Sequence, residues 1–247
     1  MEGKTIVLAV IIVVIVSVVV VLVSGGTPRA TLKKFESAPI SPVIWASGAD
    51  KMLYRLTPTG WQLSGPCCVT NIAYNPIDKR IYGVTEKGLI QSMVPSPASS
   101  WFRAFYDNNN YDAKSIAFDS YGVPWHVSPN THKIYSKDPG GVFSGWKENP
   151  DSCCVDYMTF NPSGGILGMS SEGKVYALTS EGSKVSWSEI KAMSLPGVKS
   201  LTYSPATKTY YTISSRGQIL TMPASGGSWM PFAPESPVPL TSVAVVY

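Results

Sequence analysis

Four cysteines are the first residues to weigh, because they stand as two adjacent pairs, Cys67-Cys68 and Cys153-Cys154. Each pair is followed by a valine and ends four residues before a strand-like apolar position, Ile72 in one case and Met158 in the other. Three states fit this spacing: a disulfide within each pair, bridges between the two loops, or free thiols. A bridge closing a long loop stabilises by about 2–4 kcal/mol, by limiting the unfolded chain. A structural zinc site is disfavoured, since neither pair has the two-residue gap that lets two thiolates grip one ion. The two histidines, His126 and His132, have no metal-type partner three or four residues on. They read as packed or partly exposed side chains. No Gly-x-Ser-x-Gly elbow is present, and two histidines leave few candidates for base-assisted nucleophilic catalysis. The run from Asp107 to Asp112 is rich in oxygen donors of the kind calcium takes, but it has neither the glycine nor the distal glutamate of a calcium-binding loop. It reads as a polar connection. No metal, no cofactor and no enzymatic activity are expected. The side chains expected to meet a ligand are aromatic: Trp45, Trp125, Tyr106 and Tyr111. Exposed aromatics outside charged surroundings mark binding surfaces.

These residues lie on a repeat. One line recurs: Asn71 to Pro76 (NIAYNP), Ser115 to Ser120 (SIAFDS), Tyr157 to Pro162 (YMTFNP), Ser200 to Pro205 (SLTYSP) and Ser242 to Tyr247 (SVAVVY). The steps from Ile72 to Ile116, Met158, Leu201 and Val243 are 44, 42, 43 and 42 residues. An apolar line ending at a hydroxyl residue follows each copy, as in Ile81 to Thr85 and Tyr210 to Ser214, with Val43 to Ser47 as the fifth. A turn comes next, with Gly88, Gly173 and Gly217 in three copies, where a positive φ is expected. A third strand and then one tryptophan complete each unit: Trp61, Trp101, Trp146, Trp187 and Trp229. Regular recurrence assigns these five tryptophans to packing between units. Four short strands at a period of about 42 residues make one propeller blade. The first unit begins at its second strand, and the segment from Thr241 to Tyr247 reads as a lone first strand. Pairing that strand with the first unit closes the ring and removes exposed edges. The expected fold is therefore all-β, a five-bladed β-propeller over residues 43–247 with C-terminal strand closure.

Ahead of the repeat, residues 5–23 carry no charge, and sixteen of the nineteen are Val, Ile or Leu. A helix of that length spans about 28 Å, close to the hydrocarbon thickness of a bilayer. Residues 1–24 are thus expected to form a single-pass transmembrane α-helix, with a cleaved signal peptide as the alternative. Residues 25–42, rich in Gly, Pro and small polar side chains, read as a linker. Lys/Arg counts favour a cytoplasmic propeller, with Arg29, Lys33 and Lys34 on one flank against Lys4 on the other.

Charge excludes one class of partner. The net charge is only +4, 15% of residues are charged, and the basic ones are scattered. A nucleic-acid surface needs them clustered. The recurring lines (Ile/Phe-x-Phe-Asp-Pro, aliphatic-Tyr-Ala-Val, Gly-Lys-aliphatic-Tyr, Trp) resemble tachylectin-like and tectonin-type lectin propellers over residues 43–247. That resemblance implies a propeller, and it implies sugar binding between blades. The family's Gly-Gly-Trp-x-x-Phe approach is replaced here by Pro66 to Val69 and Ser152 to Val155. Inner-strand starts, where a propeller hydrolase would place acids, hold Asn71, Ser115, Tyr157, Ser200 and Ser242, with Asp156 the nearby acid. The expected function is a non-catalytic, membrane-anchored structural or protein-interaction module, with a membrane-displayed carbohydrate-binding lectin as the alternative. The expected partners are the bilayer through residues 5–23, other proteins of a membrane-associated assembly, and glycans. An N-terminal anchor before a small β-domain also resembles membrane proteins of large DNA-virus particles, where such a domain would link an internal virion membrane to the shell.

Overall fold

Short strands with apolar residues at alternate positions can satisfy their backbone only by pairing, and can bury both faces only by stacking sheet against sheet. The computed structural model does both; it describes residues 41–105, 112–137, 145–149, 154–181 and 184–247. The transmembrane helix expected at residues 1–24 lies outside the described residues, as does the linker up to residue 40. Among the described residues no helix is long and apolar enough to cross a membrane.

Among the described residues twenty strands form five antiparallel four-stranded sheets. Blade I holds β1 (Val43–Gly48), β2 (Leu53–Thr57) and β3 (Gly60–Gly65). Blade II holds β4 (Val69–Asn75), β5 (Arg80–Thr85), β6 (Ile90–Met93) and β7 (Phe102–Arg103). Blade III runs through β8 (Ser115–Phe118), β9 (Pro124–Val127), β10 (Ile134–Lys137) and β11 (Trp146–Glu148). Blade IV runs through β12 (Tyr157–Phe160), β13 (Ile166–Met169), β14 (Val175–Glu181) and β15 (Lys184–Glu189). Blade V comprises β16 (Leu201–Ser204), β17 (Thr209–Ile213), β18 (Ile219–Pro223) and β19 (Met230–Pro231). The last strand, β20 (Leu240–Val246), returns to blade I and pairs with β1 from Val43↔Val246 to Gly48↔Leu240. The five-bladed propeller with C-terminal closure is therefore the fold of residues 43–247.

The hydrophobic core is divided into five clusters, one in each seam between neighbouring blades. Each cluster takes in one of the recurring tryptophans, from the later blade of its seam: Trp101 sits in the I/II seam, Trp146 in II/III, Trp187 in III/IV, Trp229 in IV/V and Trp61 in V/I. The indole N–H of Trp101, Trp229 and Trp61 donates to a carbonyl of the loop leading into its own blade, at Pro66, Met193 and Pro234 respectively.

A second device repeats five times. The turn between the second and third strands of each blade holds a residue of positive φ: Lys51 (66°), Gly88 (72°), His132 (53°), Gly173 (82°) and Gly217 (78°). Its carbonyl accepts a backbone N–H from the loop entering the next blade, donated by Cys68 (2.8 Å), Ala113 (3.3 Å), Cys154 (2.9 Å), Leu195 (3.0 Å) and Leu240 (3.2 Å) in turn. Glycine fits where the next loop presses closest: a Cβ on Gly217 would lie 2.6 Å from the Pro239 Cα, and one on Gly173 would strike the Leu195 carbonyl oxygen.

Candidate functional site

The five inner strands β20, β4, β8, β12 and β16 line the axis, and their first positions test any catalytic reading. Asn71, Ser115, Ser200 and Ser242 are buried there. Their polar atoms are spent on neighbouring blades. Asn71 Nδ2 donates to Ser242 Oγ at 3.1 Å, and its Oδ1 accepts from Ile116 N at 3.0 Å. Ser115 Oγ donates to the Asp156 carbonyl at 3.0 Å. Further along, Thr159 Oγ1 accepts from Tyr203 N at 3.1 Å, and Thr202 Oγ1 donates to the Val243 carbonyl at 2.8 Å. Every seam is thus crossed by a side-chain bond. The remaining channel cavity of about 50 Å³ has room for a few waters.

The end of the channel where the inner strands finish is different. A cavity of about 240 Å³ opens there among Tyr74, Phe118, Phe160, Tyr203 and Tyr247, one aromatic ring from each blade. Pro76, Pro162 and Pro205 form its outer lip. Turns around this lip are set by the polar residue at the end of β4, β8 and β12. Asn75 Oδ1 accepts from Ile77 N at 3.0 Å, Asp119 Oδ1 from Tyr121 N and Val123 N at 2.9 Å, and Asn161 Oδ1 from Ser163 N at 3.0 Å and Gly165 N at 2.8 Å. Side-chain-to-backbone bonds of this kind make rigid turns. Tyr74 donates its hydroxyl to the Tyr247 carbonyl at 2.8 Å, with the two rings edge to face at 5.4 Å. Burial, with the nearby Tyr74 and Tyr203 hydroxyls adding to it, pushes the Tyr247 phenol up to about 12. Burial and the Asp78 carboxylate also raise Tyr74. These phenols are neutral hydrogen-bond partners at physiological pH. Beside the cavity, Ile77 and Tyr121 are 62% and 85% exposed, large apolar side chains held out by the same turns.

The residues singled out in the sequence fall elsewhere. Trp45 is only 1% exposed, sealed in the I/II seam with Leu53, Val69 and Ile72, so its reading as a ligand-facing ring is corrected to a packing role. Its position in the second strand is the one that Tyr82, Trp125, Leu167 and Tyr211 hold in the other blades, and that position faces the seam with the following blade. Trp125 stands behind the mouth wall. Its indole N–H donates to Asp119 Oδ2 at 3.3 Å and its ring meets Phe160 edge to face at 5.8 Å. Tyr106 and Tyr111 lie outside the described residues, as does Cys153. Cys67 and Cys68 are joined by a disulfide, and Cys154 is also disulfide-bonded. Asp156 is buried at the opposite end, 2.6 Å from Lys114 Nζ and 2.9 Å from His132 Nδ1, and this trio spans the III/IV seam. Among the described residues no group of His, Cys, Asp and Glu is arranged to hold a metal ion. The mouth tyrosines were missed because they recur as ordinary strand positions. The signal for them was that Tyr74, Phe118, Phe160 and Tyr203 share one place in the repeat.

No protein-family model and no curated protein matches the sequence. Solved structures do. A chain from the crystal structure of a nidogen/laminin complex superposes with a TM-score of 0.58 at 10% identity, covering 83% of this chain and 98% of that one. A Bacteroides caccae protein of unknown function gives 0.51 at 8% identity, with the same coverage of 83% and 98%. At such identities the likeness is one of fold.

Proposed function

We propose that this chain is a non-catalytic, membrane-anchored interaction module, whose propeller docks an extended segment of another protein at the channel mouth. The observation that carries the reading is the five-ring cavity of about 240 Å³ with Ile77 and Tyr121 standing exposed beside it. Rigid aromatic walls present contact area at low cost in side-chain entropy, and apolar anchors filling such pockets supply most of the energy in protein interfaces. The Tyr203 and Tyr247 hydroxyls match the carbonyls of an extended peptide. The bonds that consume the inner-strand polar groups speak against catalysis along the axis. What supports an anchor is the uncharged run at residues 5–23, and what supports a virion membrane as its location is the layout of anchor followed by a small β-domain. A glycan partner is favoured less. The groove of about 450 Å³ between blades IV and V is walled mainly by aliphatic and methionine side chains such as Leu167, Ile190, Met193 and Met222, a poor match for sugar hydroxyls.

The test is a paired substitution, Ile77→Asp with Tyr121→Asp, against the distal control Met230→Asp on β19. Crosslinking of the full chain in its native membrane fraction, beside a glycan array, reads the result. Charge at the mouth is expected to cut partner crosslinking by about tenfold or more while the control keeps it. Equal capture by both variants, or a saturable glycan signal indifferent to the mouth, would overturn the assignment.

A further inference from the structure

The Cys67–Cys68 disulfide closes a small covalent ring around one peptide unit on the exposed rim of the propeller. That ring holds Cys68 at φ 93°, in the region where a residue with a Cβ is rarely at ease. From this conformation two successive amides reach the same acceptor: Cys68 N at 2.8 Å and Val69 N at 3.3 Å from the Lys51 carbonyl. The III/IV seam is built alike. Cys154 has φ 82°, is disulfide-bonded and exposed, and Cys154 N and Val155 N lie 2.9 and 3.4 Å from the His132 carbonyl. The other three seams are made with a glycine turn and a single such amide, from Ala113, Leu195 or Leu240. Only beside the cysteine loops does the turn carry a side chain, Lys51 or His132. The second strands answer the same difference. Gly83 and Gly168 leave space for Val69 and Val155, the residues that follow Cys68 and Cys154.

We propose that the Cys67–Cys68 disulfide is a redox-controlled catch on the I/II seam, opened by a dithiol reductant. One thiolate of the reductant attacks a cysteine sulfur, breaking the Cys67–Cys68 bond and forming a mixed disulfide. Its second thiolate then breaks that bond and closes the reductant's own disulfide. Two electrons pass to the protein, and the two protons the dithiol gives up end on the Cys67 and Cys68 thiols. With the ring open, nothing covalent keeps Cys68 in the left-handed region. The loop relaxes, the paired amides leave the Lys51 carbonyl, and the seam loosens while the glycine-turn seams stay fastened. Both sulfurs sit at residues exposed to solvent, as attack requires.

The experiment treats the purified full chain with a small dithiol under native conditions. Alkylation followed by peptide mass mapping counts the freed thiols, and amide hydrogen exchange is read seam by seam. Cys67 and Cys68 should become alkylated, and exchange at Cys68 and Val69 should rise by about tenfold or more with Leu195 and Leu240 unchanged. A Cys67→Ser/Cys68→Ser variant should show the fast exchange without reductant and no response to it. If that variant does not fold, the reduced native chain alone decides. The proposal is overturned if the pair resists the dithiol while the fold persists. It is equally overturned if reduction leaves Val69 exchange unchanged, or if all four amides quicken together.

Discussion

Gly83 and Gly168 show how much a single missing methyl can matter. A Cβ on Gly83 would lie 2.5 Å from Val69 Cγ1 and 2.8 Å from the Trp101 ring, and one on Gly168 would meet Val155 and Trp187 at the same two distances. The edge of the tryptophan ring therefore comes close against backbone, and the valine after each cysteine pair lies beside it. Gly83→Ala should cost about 1–3 kcal/mol, since the added carbon forces strand and indole apart. Gly145→Ala, with open space around its Cβ, is the control expected to show no comparable loss. Chemical denaturation of the two variants checks the difference. At this scale the sequence was legible in part. Five tryptophans at near-equal spacing announced packing. Trp45 misled because residue type says nothing about which way a strand position faces; its alignment with Tyr82, Leu167 and Tyr211 carried that information. The cysteine pairs were visible, but their pairing depended on a backbone conformation that spacing does not encode.

Among the elements, β20 does the most with the fewest residues. It is paired along β1 and packed beside β4 and β16, and its Ser242 Oγ accepts from both Asn71 Nδ2 (3.1 Å) and Ile72 N (3.0 Å). Ser242→Ala would leave both buried donors short of their protein acceptor, at a cost of about 1–3 kcal/mol. Deleting residues 241–247 should go further, stripping blade I of its inner strand and abolishing a single cooperative melt followed by circular dichroism. Unchanged melting would contradict the closure. The periods of 42 to 44 residues made four strands per unit readable, because each blade must span the same radius. Outer strands were less readable. The tryptophan expected on a fourth strand lies within β3, β11 and β15 but just ahead of β7 and β19, where only two residues pair. Their ladders are short because one face and one edge meet water.

For the whole molecule, stability is distributed around a circle of five similar seams, so no blade has a core of its own. That arrangement leaves the two ends of the channel free to differ. One rim carries the cysteine loops and the buried Asp156. The other carries the rings, prolines and protruding side chains that make a surface for a partner. The repeat made the circle legible. It did not reveal the mouth, which arises only when five separate strand ends are brought to one axis.

Because Val43 lies directly across the ladder from Val246, the ring has no preferred starting point as far as its contacts are concerned. A short bridge from residue 247 back to residue 43, with the chain cut instead at the exposed Gly164-Gly165 turn, should yield a reordered polypeptide that folds to the same disc. Its melting midpoint should fall within a few degrees of the natural order's, and the natural seam between first and last strands would then be an ordinary hairpin.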